Sequence, residues 1–210
     1  MRKIAIPIVS TLAVVAIVAA VVSTTNGRAA SAPPDTPAAV TPASDPTLPA
    51  PTVDAPALDD ATIVAIFDAA NTADIETGEL AASRGASKEV RDFGAMLAVA
   101  HRQVREQGRE LARKLEVTPT PPADDASAKT HAAAMERLGA LEGAEFDRAF
   151  LAHEIAFHTG VLVAVTTTLL PAIGNAELRA LVVKVAPAFE AHMLGAQNLE
   201  RRLAAGASGR

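Results

Sequence analysis

The sequence predicts an all-α protein in which four main helices form an antiparallel bundle. Half of its 210 residues are hydrophobic, but aromatic residues make up only 3%. This composition is typical of closely packed helices, because Ala and Leu have high helix propensities. Apolar residues also recur in steps of three and four along four segments, which indicates one buried face on each helix. Short turns join the first two and the last two segments, as antiparallel neighbours require.

Residues 1–31 have the layout of a secretory signal. Arg2 and Lys3 precede an uncharged apolar stretch from Ile4 to Val22, and small residues follow it. That order suits a signal peptidase. The apolar stretch is also nearly long enough to cross a bilayer, which takes about 20 residues, so cleavage and retention as a single membrane anchor both remain open. Either way we expect an exported protein that is periplasmic, extracellular or anchored to the outer face of the cytoplasmic membrane.

Residues 32–57 are rich in Pro, Ala, Thr and Ser, a composition that favours extended, hydrated backbone. We interpret them as a disordered linker. Binding of a proline-recognising domain and sugar attachment to Thr are the alternatives. The helical bundle is predicted over residues 58–205, and residues 206–210 are predicted to be a disordered tail.

The first two helices are bounded by recognisable capping residues. Asp59 or Asp60 can begin the first helix, and Gly85 is expected to end it in a left-handed turn. Ser87 can cap the second helix, which the prolines of residues 119–122 then stop. The buried face of the first is predicted to comprise Ile63, Phe67, Ala70, Asp74, Thr77 and Ala81, and that of the second Phe93, Leu97, His101, Val104, Gly108, Leu111 and Leu115.

A shorter helix is predicted over Ser127 to Leu138, and two further main helices follow it. Residues 161–168 are β-branched enough to resemble a strand, but the helical rhythm continues through them. Asn175 can cap the last helix, and Pro187 is expected to kink it without ending it. The third main helix is predicted to bury Asp147, Leu151, Ile155, His158, Leu162, Val165 and Leu169, and the fourth Leu178, Val182, Val185, Phe189, His192, Ala196, Leu199 and Leu203.

Three motifs along these helices resemble the bacterial exported family of domains of unknown function numbered 4142. They are Glu76-Thr-Gly-Glu-Leu-Ala81, Phe146-Asp-Arg-Ala-Phe150 leading to His158, and Ala186-Pro-Ala-Phe-Glu-Ala-His192. The resemblance spans about residues 63–203 and implies a ferritin-like fold, with histidines at the positions of His101, His158 and His192. The family often has Asp immediately before the first of these, whereas this chain has Ala100, so that carboxylate has no counterpart here. No established activity follows from the resemblance.

A divalent metal ion is the one cofactor that the sequence suggests. Three histidines fall on the buried faces of three different helices, and acidic residues lie near them: the candidate ligands are Asp74, Glu76, His101, Glu154, His158 and His192. Nitrogen and oxygen donors of this kind suit a metal site inside a helical bundle. The Glu-x-x-His spacing of di-iron bundles is absent, however. The alternative is that the histidines are structural and satisfied by neighbouring carboxylates or backbone carbonyls. His131 and His153 fall off the buried faces and are predicted to be at the surface.

Other functional classes find little support. The chain has no Cys and no Gly-x-Ser-x-Gly elbow, so nucleophilic catalysis has no candidate, and we expect no enzyme. Its net charge of −5 argues against a nucleic-acid partner. The remaining hypotheses are a non-catalytic envelope module whose protein or envelope partner is unknown, and a metal-binding bundle. A row of arginines on the second helix is expected to pair with interleaved glutamates on a solvated face, or to bind anionic lipid: Arg102, Arg105, Arg109 and Arg113.

Overall fold

The structure is a computed structural model that describes residues 58–123 and 126–208. These residues form five helices and no strand, which confirms the predicted all-α class. The helices are α1 (Asp60–Arg84), α2 (Lys88–Lys114), α3 (Ala126–Gly139), α4 (Gly143–Ala172) and α5 (Ala176–Ser208). The predicted signal or anchor and the linker lie outside the described residues.

The long helices pack as two hairpins. α1 lies against α2 along its length, and α4 lies against α5. The hairpins meet where α2 contacts α5 and where α1 contacts α4, while α3 crosses from α1 to α4. The first hairpin is especially close, because a Cβ atom built on Gly78 would come within 2.7 Å of the Gly94 carbonyl oxygen. Glycine is therefore required at this crossing for the two backbones to approach.

Each hairpin turn is held by an aspartate of the other hairpin. The carboxylate of Asp147 on α4 accepts hydrogen bonds from the backbone N–H groups of Ala86 and Ser87, at 2.8 and 2.9 Å. The carboxylate of Asp60 on α1 likewise accepts from the N–H groups of Gly174 and Asn175, at 2.9 and 2.8 Å. These reciprocal contacts satisfy donors that a helix start leaves without partners. They fix the two hairpins against each other at both ends.

The predicted N-caps are confirmed. The side-chain oxygens of Asp59, Ser87 and Asn175 accept from backbone N–H groups of the first turns that follow. The expectation of a left-handed turn at Gly85 is wrong, since its φ is −51°. Glycine is needed there for space, because an added Cβ would lie 2.8 Å from the Ala81 carbonyl oxygen and 2.9 Å from the Val90 side chain.

The last two helices differ from the sequence prediction in detail. The β-branched part of α4 is helical as predicted, but Val165–Leu169 form a π-helical turn. α5 runs without a break through Pro187 and continues to Ser208. Three of the residues assigned to a disordered tail, Gly206, Ala207 and Ser208, are therefore helical.

Two apolar clusters fill the interior, with a polar layer between them. One contains Ile63 and Phe67 of α1, and the other contains Ala81 of the same helix. Three buried polar residues of α1 lie between these clusters: Asn71, Asp74 and Thr77. Polar side chains at the same level of the other helices are His101, Glu154, His158 and His192. The fold thus places these polar groups in the middle of the domain.

The arginines of α2 pair mainly with α1. Arg102 bonds to Glu79, Arg105 to the hydroxyl of Thr72 and Arg109 to both carboxylate oxygens of Asp68. Arg113 alone of the four pairs within its own helix, with Glu106. The expected local pairing is therefore wrong for the first three. The row ties the two helices of the first hairpin together.

Among the described helices, α4 is long and apolar enough to cross a membrane by length and composition alone. It also carries the buried side chains of Asp147, Glu154 and His158. Asp147 bonds to the α1–α2 turn, and His158 faces side chains of three other helices. Of the most apolar 18-residue stretch of α4, 28% is buried inside the domain, so packing accounts for only part of its apolar character.

Candidate metal centre

Five of the six predicted ligand residues meet in the polar layer. Asp74 comes from α1, His101 from α2, Glu154 and His158 from α4, and His192 from α5. None is more than 9% exposed, and His192 is the most accessible of them. The imidazole ring centroids lie 5.0 to 5.6 Å apart. One potential ligand atom from each histidine lies within 4.8 Å of the others, and the same holds for Asp74, Glu154 and His158. We call these five residues the histidine cluster.

Glu76 does not join the histidine cluster. Its side chain is 49% exposed, and its carboxylate contacts Nε2 of His131 on α3 at 2.7 Å. Two positions after Asp74, Glu76 points to a different side of α1. The prediction that His131 and His153 are surface residues is wrong in part, because both are only partly exposed. Burial is the main cause of a lowered pKa of His153, at about 4, followed by the nearby charges of Arg137 and His131.

Asn71 determines which nitrogen of His101 carries a proton. The side-chain amide of Asn71 donates from Nδ2 to the Phe67 carbonyl oxygen at 2.8 Å, so its Oδ1 faces Nδ1 of His101 at 3.0 Å. An amide oxygen only accepts, and Nδ1 must therefore be the protonated nitrogen. The lone pair of His101 is left on Nε2. The sequence analysis missed Asn71, although it lies one turn before Asp74 on the same buried face.

The backbone of α4 determines which nitrogen of His158 carries a proton. Nδ1 of His158 lies 3.0 Å from the Glu154 carbonyl oxygen, which again requires the proton on Nδ1. Nε2 of His158 then presents a lone pair, and it has no hydrogen-bond partner among the described residues. The nearest carboxylate oxygen to it, Oδ2 of Asp74, lies 3.9 Å away, too far for a hydrogen bond. Two buried polar atoms, each without a hydrogen-bond partner among the described residues, therefore face each other.

The third histidine lies beside the first. Nδ1 of His192 is 3.1 Å from Nε2 of His101. Since the His101 lone pair is on Nε2, His192 donates to it when no metal is bound. A metal with nitrogen ligands at about 2.0–2.1 Å in tetrahedral geometry holds them about 3.3 Å apart. The observed separation thus fits two ligands of one ion.

The carboxyl groups of the histidine cluster are also short of partners. Oδ2 of Asp74 and both oxygens of Glu154 make no hydrogen bond to the described residues. Burial raises the pKa of Asp74 well above its ordinary value, and the neighbouring Glu154 raises it further. Burial likewise raises the pKa of Glu154 to about 7, against the lowering effect of Thr77 and Asp74. Unpaired buried polar atoms are few in native proteins, so this group requires an explanation.

The histidines are held neutral by the same burial. It lowers the pKa of His101 to about 2 and that of His158 to about 3, and each is lowered further by neighbouring histidines. Burial also lowers the pKa of His192. The edge of Phe189 lies against His101, with ring centroids 5.1 Å apart. Neutral imidazoles with defined tautomers are the form that binds metal ions.

Comparison with known proteins places the whole helical region in one family. A family model described as Domain of unknown function (DUF4142) matches residues 45–199. The chain belongs to this family. The match covers every member of the histidine cluster, and it confirms the resemblance seen in the three sequence motifs. No curated protein matches the chain.

The fold of this DUF4142 domain is also found in a solved structure. The crystal structure of a DUF305 fragment from Deinococcus radiodurans is similar, with a TM-score of 0.60 and 16% sequence identity. The similarity covers 68% of this chain and 95% of that one. At such low identity the likeness concerns the fold alone. What the histidine cluster does must be argued from its own geometry.

Proposed function

We propose that this DUF4142 domain binds a single divalent transition-metal ion through the histidine cluster. One observation carries the proposal. The buried Nε2 lone pair of His158, whose tautomer is fixed by a backbone carbonyl, faces the unpaired Oδ2 of Asp74 at 3.9 Å. Leaving such groups unpaired costs about 1–3 kcal/mol each. A cation between them would satisfy both.

The hydrogen bonds that the histidines make through their other ring nitrogens are those expected of metal ligands. Ligating histidines usually donate their second N–H to a carbonyl or carboxylate oxygen, which orients the ring. His101 donates to Asn71 and His158 to the Glu154 carbonyl. Three imidazole nitrogens with one carboxylate oxygen complete four ligands, a set that suits zinc, copper or nickel. We assign Asp74 as the carboxylate ligand of this set, and Glu154 lies beside Asp74.

The burial of the histidine cluster favours binding over catalysis. Catalytic metal sites keep a coordination position open to substrate. Here the four helices enclose the ligands, and His192, the most exposed of them, is 9% accessible. We therefore propose that the domain sequesters the metal ion or is stabilised by it.

Metal analysis of untagged protein, combined with thermal unfolding, tests this proposal. Zinc at a hundredfold excess over its dissociation constant should stabilise the fold by about 2.7 kcal/mol. His158→Ala should abolish the rise in melting temperature, whereas the matched variant His131→Ala should keep it, since His131 contacts Glu76 outside the cluster.

The competing hypothesis is that the histidines are structural in a non-catalytic envelope module. Under it zinc, copper and nickel leave the melting temperature of the native chain unchanged. His158→Ala then alters stability equally with and without metal. That result would exclude a metal-binding role.

The architecture and location belong to the same proposal. We propose that the two hairpins form a ferritin-like four-helix bundle, since they pack in pairs around a shared polar layer.

We further propose that the bundle is exported, because residues 1–31 begin with positive charge and continue with an apolar stretch. Fractionation of cells that express the full chain tests this. Recovery in the cytoplasm, with Met1 retained, would count against export.

A further inference from the structure

A cavity of about 700 Å³ lies beside the histidine cluster and is not used by it. Its walls come from α1, the last turns of α2, the segment that follows α2, α3 and α4. Volumes of this size are typical of small-molecule sites. The lining is chiefly apolar, and its large side chains include Phe67, Phe157 and Val161. The cavity therefore suits a ligand with an apolar body.

The cavity is elongated. Along α1 its lining runs from Val64 to Glu76, which corresponds to about 18 Å of helix at about 1.5 Å per residue. Along α4 it runs from His153 to Val161, about 12 Å on the same rise. An apolar space of this length fits one extended chain.

The charged residues of the lining are arranged so that one cation has no partner inside the cavity. Asp68 is paired with Arg109, and Glu76 with His131. Arg113 also lines the cavity, but its partner Glu106 does not. Both members of that pair are more than half exposed, and an ion pair of this kind is worth little. Arg113 can therefore exchange Glu106 for the carboxylate of a ligand at small cost.

One wall of the cavity is formed by α3, whose second half is buried in the domain. The buried residues of α3 are Ala134 and Leu138, both in its second half. Arg84 fixes that end through the carbonyl oxygens of Gly139 and Leu141, at 2.6 and 3.1 Å. Residues of the first half line the cavity, where His131 contacts Glu76.

We propose that this cavity binds a free fatty acid, with the acyl chain along α1 and the carboxylate at Arg113. The elongated apolar space, and a cation, Arg113, without a partner among the described residues of the lining, both favour this ligand. It is independent of metal binding, because no member of the histidine cluster lines the cavity.

Titration of the full chain with cis-parinaric acid, a fluorescent fatty acid, tests the proposal directly. The chain has no Trp and no Tyr, so the fluorescence comes from the probe. We expect saturable binding to a single site and displacement by palmitate. Absence of saturable binding, or equal displacement by a sterol, would overturn the proposal.

Variants locate the two ends of the ligand. Ala69 is exposed and lines the cavity, so Ala69→Phe should abolish binding by filling the space. Ala152→Phe is the control, since Ala152 is exposed on α4 outside the cavity. Arg113→Gln should weaken the acid about tenfold, the loss of one charge-assisted hydrogen bond, and leave its methyl ester unaffected. Unchanged binding in Ala69→Phe, or equal weakening of acid and ester in Arg113→Gln, would refute the assignment. Circular dichroism confirms that each variant is folded.

Discussion

Oδ1 of Asn71 lies 3.0 Å from Nδ1 of His101, and this contact determines which nitrogen of the imidazole is available to a metal. The amide is itself held by the Phe67 carbonyl oxygen on α1. A side chain of the first helix therefore sets the chemistry of a side chain on the second.

Asn71→Leu should weaken zinc binding by about 10- to 100-fold, because the variant removes the acceptor that fixes the His101 tautomer. Competition with a zinc chelator measures the affinity. Nitrogen NMR of the imidazoles reports the tautomer, which a purely structural role for Asn71 would leave unchanged. Asn71→Asp keeps an acceptor oxygen and should retain both properties. Wild-type affinity in folded Asn71→Leu would contradict the assignment.

Asp74→Asn and Glu76→Gln form a matched pair on α1. Each replaces a carboxylate by an amide, but Asp74 is 1% exposed within the histidine cluster and Glu76 is 49% exposed outside it. Asp74→Asn should lower zinc affinity at least about tenfold through loss of an anionic ligand. Glu76→Gln should leave it unchanged. Isothermal titration distinguishes the two, and an equal loss in both variants would argue against the selected ligand set.

The metal-free protein should lose stability in acid in two stages. Below about pH 6.5 the unfolded histidines take up protons, whereas His101 and His158, with pKa values of about 2 and 3, stay neutral in the fold. Each such histidine lowers the free energy of unfolding by about 1.4 kcal/mol per pH unit of acidification. Glu154 acts in the opposite direction. Its pKa in the fold, about 7, lies above its ordinary value of 4.5. Between these two pH values the folded state binds a proton that the unfolded state does not bind, so acidification stabilises the fold. The raised pKa of Asp74 likewise stabilises the fold on acidification.

We therefore expect a shallow loss of stability between about pH 6.5 and 4.5, and a steep one below, where the carboxyls no longer offset the histidines. Urea unfolding in the presence of a chelator at about pH 7, 5.5 and 4 measures it. Equal unfolding midpoints at about pH 7 and pH 4 would show that the histidines are not held neutral in the fold.

Asp147→Ala should destabilise the domain by about 1–3 kcal/mol, because the N–H groups of Ala86 and Ser87 lose their acceptor. Asp60→Ala should act similarly at the opposite turn, although Asp60 is less buried. Asp92→Ala is the control, since Asp92 makes only an exposed ion pair with Lys88 and should cost less than about 0.5 kcal/mol. Urea unfolding ranks the three variants. An Asp147→Ala variant as stable as the control would disprove the turn-fixing role.

Gly94→Ala should disrupt the close packing of α1 on α2. An added Cβ would lie 2.6 Å from the Gly78 carbonyl oxygen, and the Ala81 Cβ at 2.7 Å and the Ala82 nitrogen at 2.9 Å leave it no room. Separating the helices should cost about 1–3 kcal/mol, the usual range for overpacking. Gly139→Ala, with nothing within 4 Å of the new atom, is the matched control. Thermal unfolding compares them, and equal melting temperatures would show that the crossing tolerates a side chain.

Local sequence signals predicted the helices and their caps well. Asp59, Ser87 and Asn175 each carry a short polar side chain placed to accept from the turn that follows. Periodicity identified most of the buried positions of α5, because apolar residues at steps of three and four mark one face; it missed Leu181, and Leu203 is only partly buried. It underestimated the burial of α4, where Phe150 and Phe157 lie off the predicted face yet are buried. A helix that contacts neighbours on several sides buries more than one stripe.

Local propensity and the helical repeat were enough to predict that the chain is helical and that His101, His158 and His192 lie on buried faces. The packing of the helices was needed to show that these rings meet, that Glu76 turns away towards His131, and that Asn71 fixes the His101 tautomer. These contacts join residues up to 91 positions apart. Their distances depend on the axial shift and rotation of one helix against another, which side-chain packing sets and which no repeat within one helix encodes.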